Sequence, residues 1–74
     1  MRLIPTLDRL LVDDVSVGDG ELWRGIVSEV GPNVTKVFKG DKVHFSKETA
    51  RLVKDKLFLI YEDDVLLVEA KTDA

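Results

Sequence analysis

The chain has no cysteine, one histidine, one tryptophan and two prolines among its 74 residues. Without cysteine there is no disulfide and no thiolate ligand, and with His44 alone the usual tetrahedral zinc site has no ligand set. A domain of this size buries only about 60% of the surface its unfolded chain exposes. Small domains commonly add disulfides, a metal or association, and here association with further copies is the expectation. The lack of cysteine fits a reducing compartment. No apolar run approaches the roughly 18 residues of a membrane helix. Met1-Arg2-Leu3-Ile4-Pro5 has one basic residue and no long apolar core, so it does not read as a secretory signal. The expected location is cytoplasmic, with no membrane partner.

An excess of positive charge is also missing. The formal net charge is −3, which argues against nucleic acid, whose binders rely on neutralising phosphates. Lys36, Lys39 and Lys42 cluster, but Asp41 sits among them, and a solvated turn face explains them. Catalytic signatures are equally scarce. There is no Gly-rich phosphate loop, and no motif places a nucleophile beside His44. Asp13, Asp14, Asp19 and Glu21 lack the spacing of a calcium loop. No enzyme activity, cofactor or metal is expected.

What is present is a series of short apolar runs between turn residues. Leu7 to Val12 reads as a first strand, with Leu10-Leu11-Val12 apolar on both faces and therefore buried on both sides. Pro5 suits a strand start or edge, because it has no N–H for a ladder. Asp13-Asp14 ends the run, and Val15 to Trp23 reads as a loop around the turn signal Gly18-Asp19-Gly20. Gly25 to Val30 is a second strand, closed by Gly31-Pro32-Asn33. After Lys39-Gly40-Asp41 the chain alternates, with Val43 and Phe45 on one face and Lys42 and His44 on the other. Ser46 to Lys54 permits a short helix or a loop followed by a strand over 51–54. The strand is preferred, since a helix of about eight residues is marginal and Leu57-Phe58-Leu59-Ile60-Tyr61 needs a strand neighbour. Lys54-Asp55-Lys56 is then a hairpin turn, Glu62-Asp63-Asp64 a polar turn, and Val65 to Glu69 a last strand. Five to seven short strands in one domain, 1–74, predict an all-β fold, a small barrel or sandwich of antiparallel strands.

The order of these runs resembles the GroES-like co-chaperonin (chaperonin-10) family. Pro5-Thr6-Leu7-Asp8-Arg9-Leu10 is similar to the family's opening Pro-Leu-His-Asp-Arg-Val. Arg24-Gly25-Ile26-Val27-Ser28-Glu29-Val30-Gly31 matches its Arg-Gly-x-Val-x-x-Val-Gly at every fixed position. Lys39-Gly40-Asp41-Lys42-Val43-His44-Phe45 is similar to its Val-Gly-Asp-x-Val-x-Phe, and Leu57 to Glu69 to its closing strand, turn and strand. Physical roles fit these positions. Gly25 and Gly31 mark a bulge and a turn where a Cβ would crowd the backbone, Gly40 supplies a positive-φ turn, and Asp8 and Arg9 offer charges for pairing across the sheet.

The resemblance implies a small GroES-like β-barrel and a homo-oligomeric ring, a heptamer if the family's dome is kept, that caps a chaperonin folding chamber. In that family the N-terminal strand of one subunit pairs with the C-terminal strand of the next. This makes Leu3, Ile4 and Pro5 with Leu66, Leu67 and Val68 the implied subunit interface. The match fails at the two projections. The family's long partner-binding loop corresponds here to Asp13 to Trp23 without its apolar motif, and Gly20, Glu21, Leu22 and Trp23 are the nearest substitute for a chaperonin contact. Trp23 also reads as barrel packing, and that reading is preferred because large aromatics are mostly buried. Pro32 to Lys39 is too short for the roof hairpin. A small phage-borne or otherwise divergent relative fits this trimming. The alternative function is an oligomeric structural or assembly module that uses the barrel without a chaperonin.

Overall fold

A computed structural model describes residues 3–17 and 22–69. Six strands follow one another: β1 (Arg9–Val17), β2 (Leu22–Val30), β3 (Lys42–Ser46), β4 (Arg51–Lys54), β5 (Leu57–Tyr61) and β6 (Val65–Glu69). A 3-10 turn at Glu62–Asp64 precedes β6. All pairings are antiparallel, in the order β4-β5-β1-β2-β3-β6. The expected all-β antiparallel fold is therefore observed. Among the described residues no helix is long and apolar enough to cross a membrane.

The connections force this sheet to coil. β5 and β6 are separated by β1, β2 and β3, which in a flat sheet is about 19 Å across the strands. They are also offset along the strands. Tyr61 is level with Arg9, whereas Val65 is level with Phe45, Trp23 and Val17, adding about 25 Å. Yet only Glu62–Asp64 joins them, and Tyr61 to Val65 spans at most about 14 Å even when extended. β3 and β4 are likewise far apart in the order but joined by 47–50. Only a tilted, strongly coiled, barrel-like sheet meets both demands. Among the described residues the ring of hydrogen bonds is not closed: there β4 pairs only with β5, and β6 only with β3.

Coiling lets one sheet make its own core. Leu10, Val12, Val15, Val27, Val37, Val43, Phe45 and Ile60 form the buried cluster, with Trp23, Val30, Val34, Ala50, Phe58 and Val65 packed against it. Each fully buried Phe, Leu, Ile or Val contributes about 1.5–3 kcal/mol over an exposed one. Leu11, on the opposite face from Leu10 and Val12, is buried too, as the doubly apolar run predicts. Its surroundings include Leu3 and Leu57, which line the same hollow.

Strand limits at β1 and β2 differ from expectation. β1 begins at Arg9 rather than Leu7, because Leu7 takes φ +56 in a turn. β1 also continues to Val17 and β2 begins at Leu22, so both ends of the loop expected over Val15 to Trp23 are strand. Asp13-Asp14 does not end β1 but carries a bulge. Asp14 takes φ +53, its N–H donates to Asp13 Oδ1 at 2.7 Å, and the register slips between Asp13 and Ser16. Gly25 lies opposite this bulge, where a Cβ would overlap the Val12 side chain and crowd the Asp13 carbonyl oxygen. Gly40 has φ +93, and the Asp55-Lys56 turn joins β4 and β5 with Lys56 at φ +59. Among the described residues Arg9 meets no carboxylate across the sheet. It donates to Thr6 Oγ1 at 2.7 Å and lies 5.3 Å from the centre of the Tyr61 ring, its neighbour on β5.

The connection from β2 to β3 is pinned rather than projecting. Gly31 N–H donates to the Arg9 carbonyl and Asn33 N–H to the Leu7 carbonyl, at 2.8 and 2.9 Å. Thr35 and Lys36 N–H both donate to Glu62 Oε2, at 3.0 and 2.6 Å, and Val37 enters the core. At Gly31 a Cβ would overlap the Leu7 carbonyl oxygen, which is backbone and cannot rotate away. Gly31→Ala is therefore expected to cost about 1–3 kcal/mol, the usual range for overpacking. A urea melt measures this, and an unchanged midpoint would show that Leu7–Arg9 is not held against Gly31.

Candidate functional site

The sheet's open edges are the feature that needs a function. On β6, Val65 packs against the core, but Leu66 and Leu67 are each 56% exposed and Val68 44%. Its pairing with β3 matches Val68 to Val43 and Leu67 to His44. Val68 therefore shares the inner face with Val43, and Leu67 the outer face with His44. An apolar edge strand left unpaired is a template for another strand.

Leu3, Ile4 and Pro5, expected to supply the opposite half of a subunit seam, precede β1 on the outer face of the sheet. Leu3 to Thr6 forms no strand. Leu3, Ile4 and Pro5 line a shallow hollow with Leu11, Val53 and Leu59, on the outer face of the sheet. Pro5 is buried, while Leu3 and Ile4 remain exposed. The sheet's second edge is β4, which sequence reasoning did not single out as an edge. All four of its residues are exposed, Leu52 at 65%. The signal was available: a four-residue strand with no buried position, just before a tight hairpin, is a natural sheet border.

Of the proposed chaperonin-contact residues, Gly20 and Glu21 lie outside the described residues. Leu22 and Trp23 are half-buried at the start of β2. Trp23 faces inward beside Phe45 and meets Phe58 edge to face, with centroids 5.3 Å apart and planes at 77°. The packing reading of Trp23 thus describes its place, although one side still opens to a hollow shared with Val15, Val17, Leu52 and Phe58. Fully buried Trp→Ala changes cost 3–5 kcal/mol, so half-buried Trp23→Ala should cost about 2 kcal/mol, with Trp23→Phe losing less. Thermal melts of both variants check this, and an unchanged Trp23→Ala would remove Trp23 from the core.

On the outer face a charged patch ties β6 to the sheet. Lys42 pairs in register with Glu69, and His44 Nε2 lies 2.9 Å from Glu69 Oε2. Asp14, Arg24, Lys42 and Glu69 border one open hollow. The hydrogen bond from His44, helped by its charge and by Lys42 and Arg24, holds the Glu69 carboxyl below its usual value of 4.5. The patch mixes signs in open water, and among the described residues no group of carboxylates, His and Cys could hold a metal. Its chemistry is that of a surface latch. Because the Glu69 value is lowered on folding, its stabilisation is fully present above the ordinary carboxylate range and is lost as pH falls through the lowered value. The stability gap between the native chain and Glu69→Gln should therefore be present at pH 6 and close under acid. A gap that stays constant down to pH 2 would disprove the latch.

No protein-family model matches the chain, and no curated protein matches it.

Proposed function

We propose that this chain is a co-chaperonin-like subunit of a homo-oligomer, a cytoplasmic barrel that joins its copies edge to edge. The observation that carries the reading is the β6 edge. Leu66, Leu67 and Val68 stand in water on a strand with no outer neighbour among the described residues, in a domain too small to be indifferent to lost burial. The motif order supports the co-chaperonin part. Its three recurrent glycines fall where crowding or a positive φ calls for glycine: Gly25 at the bulge, Gly31 against Leu7, and Gly40 at φ +93. The hollow beside Trp23 offers an apolar contact next to the β1–β2 connection.

A specific observation favours the second reading, an oligomeric assembly module that needs no chaperonin. The β1–β2 ladder runs to the Val17–Trp23 pair, leaving only 18–21 to connect the strands. Four residues span about 14 Å when extended, and turning back halves that reach.

Native mass spectrometry of the purified chain, alone and with a chaperonin ring in ADP, separates the two. A discrete oligomer that also adds to the chaperonin, with binding weakened in Trp23→Ala, supports the co-chaperonin. The same oligomer ignoring the chaperonin supports the assembly module. A strict monomer at high concentration rejects both.

A further inference from the structure

We propose that β6 of one copy pairs antiparallel with β4 of the next, in the register that sets Arg51 opposite Glu69, Leu52 opposite Val68 and Val53 opposite Leu67. This rests on the oligomer reading above and names its interface. Three observations select it. First, β4 and β6 are the two ends of one alternating antiparallel sheet, so the alternation continues across copies only if β4 runs antiparallel to β6. The contact is head to tail, the type that closes into a ring when the rotation between copies closes and otherwise runs on as a filament.

Second, the faces agree. Leu52 is opposite Phe58, which packs on the core, so it lies on the inner face, and Arg51 is opposite Leu59 on the outer face. Val53 borders the outer hollow with Leu11 and Leu59. On β6, Val68 is inner, beside Val43, while Leu67 and Glu69 are outer, beside His44 and Lys42. In the proposed register every inner residue meets an inner one and every outer residue an outer one. A slip by one residue sets Leu52 against Leu67 and breaks this match.

Third, the charges agree. β4 begins with Arg51 and ends with Lys54, and Lys56 follows in the turn. β6 ends with Glu69 and is preceded by Asp63 and Asp64. Antiparallel pairing brings Arg51 to Glu69 and turns Lys54 and Lys56 toward the acidic turn, whereas parallel pairing brings Lys54 to Glu69 but Arg51 to the start of β6 with its inner and outer residues mismatched. Opposite charges across a ladder favour pairing and like charges disfavour it. On each side the charges flank apolar residues that are otherwise in water: Leu52 and Val53 on β4, and Leu66, Leu67 and Val68 on β6.

The chain has no cysteine, so engineered thiols report contacts without background. Leu52→Cys and Val68→Cys are made on separate chains, one of them isotopically heavy, then mixed and mildly oxidised. Mixed disulfide dimers well above either variant alone are the expected result. The control mixture is Ile4→Cys with Val68→Cys. Cross-links in the control but not in the test pair would overturn the proposal in favour of the N-terminal segment as the strand that meets β6. A monomeric internal disulfide in the Leu52→Cys/Val68→Cys double variant at high dilution would show the seam closing within one chain, which also overturns it. Arg51→Glu, at an exposed site away from the core, gives an independent reading. It should weaken association about tenfold by setting like charges opposite each other, and unchanged association would count against this register. A native oligomer with neither cross-link rejects this interface alone, whereas a monomeric native chain rejects the oligomer reading itself.

Discussion

The three-residue crossing from β5 to β6 is the constraint on which the rest of this fold depends. Tyr61 and Val65 belong at diagonally opposite corners of the flattened sheet, so joining them through Glu62–Asp64 sets both the tilt of the strands and the radius of the coil. Glu62 is the fastening point. Its N–H donates to the Asp8 carbonyl at 2.9 Å, at the entrance to β1. Its carboxylate accepts the N–H groups of Thr35 and Lys36 from the connection that carries Val37 into the core. One residue therefore ties the start of the sheet, its far crossing and the cover of its interior. Hydrogen bonds to a charged acceptor are worth about 1.5–3 kcal/mol each when protected, and Lys36 N–H at 2.6 Å is the shorter of the two.

A sheet that coils until it covers itself needs no second layer, but it has consequences for its outside. Leu11 is buried on the face opposite the core, in company with the apolar residues of β5 and the segment before β1. The outer surface over β1 and β5 is thus a second, smaller apolar region. The segment containing Leu3, Ile4 and Pro5 packs there and forms no strand within the chain. The edges fall to β4 and β6, the strands on either side of the two long jumps in sheet order.

How far this could be read in advance depended on whether a position is governed by local pattern or by a distant partner. The alternation of Val43 and Phe45, the run Leu57–Tyr61 and the extent of Val65–Glu69 are local, and the strands follow them. The hairpin at Asp55-Lys56 and the glycines at 25, 31 and 40 are also local, because each residue type answers to its own backbone or to a close approach. Asp13-Asp14 misled because acidic pairs usually close a strand, whereas here Asp14 adopts the left-handed conformation and lets β1 continue past a bulge. Nothing near Asp14 in sequence signals that. The reason lies eleven residues on, at Gly25, whose missing side chain makes room for the bulged strand. Arg9 is a similar case. Its expected charge partner is replaced by Tyr61, a residue that only the β1–β5 register brings alongside.

The β6 strand shows why the proposed association would be coupled to folding in this chain. Among the described residues it has a single neighbour, β3, paired through a ladder whose register slips between His44 and Phe45. Val65 gives it one foot in the core, and Glu69 fastens its other end through His44. Between these points its apolar side chains gain little from folding, because they stay in water. The ordering entropy of this strand, about 1–2 kcal/mol per residue for the backbone alone, is thus set against few contacts. Any neighbour that paired with β6 would bury those side chains and satisfy its free N–H and C=O groups. By mass action it would stabilise the folded chain as well as the assembly. In a domain without disulfides, that linkage would give the exposed edge a physical reason to persist: the surface that costs the isolated chain stability is the surface that the proposed assembly would cover.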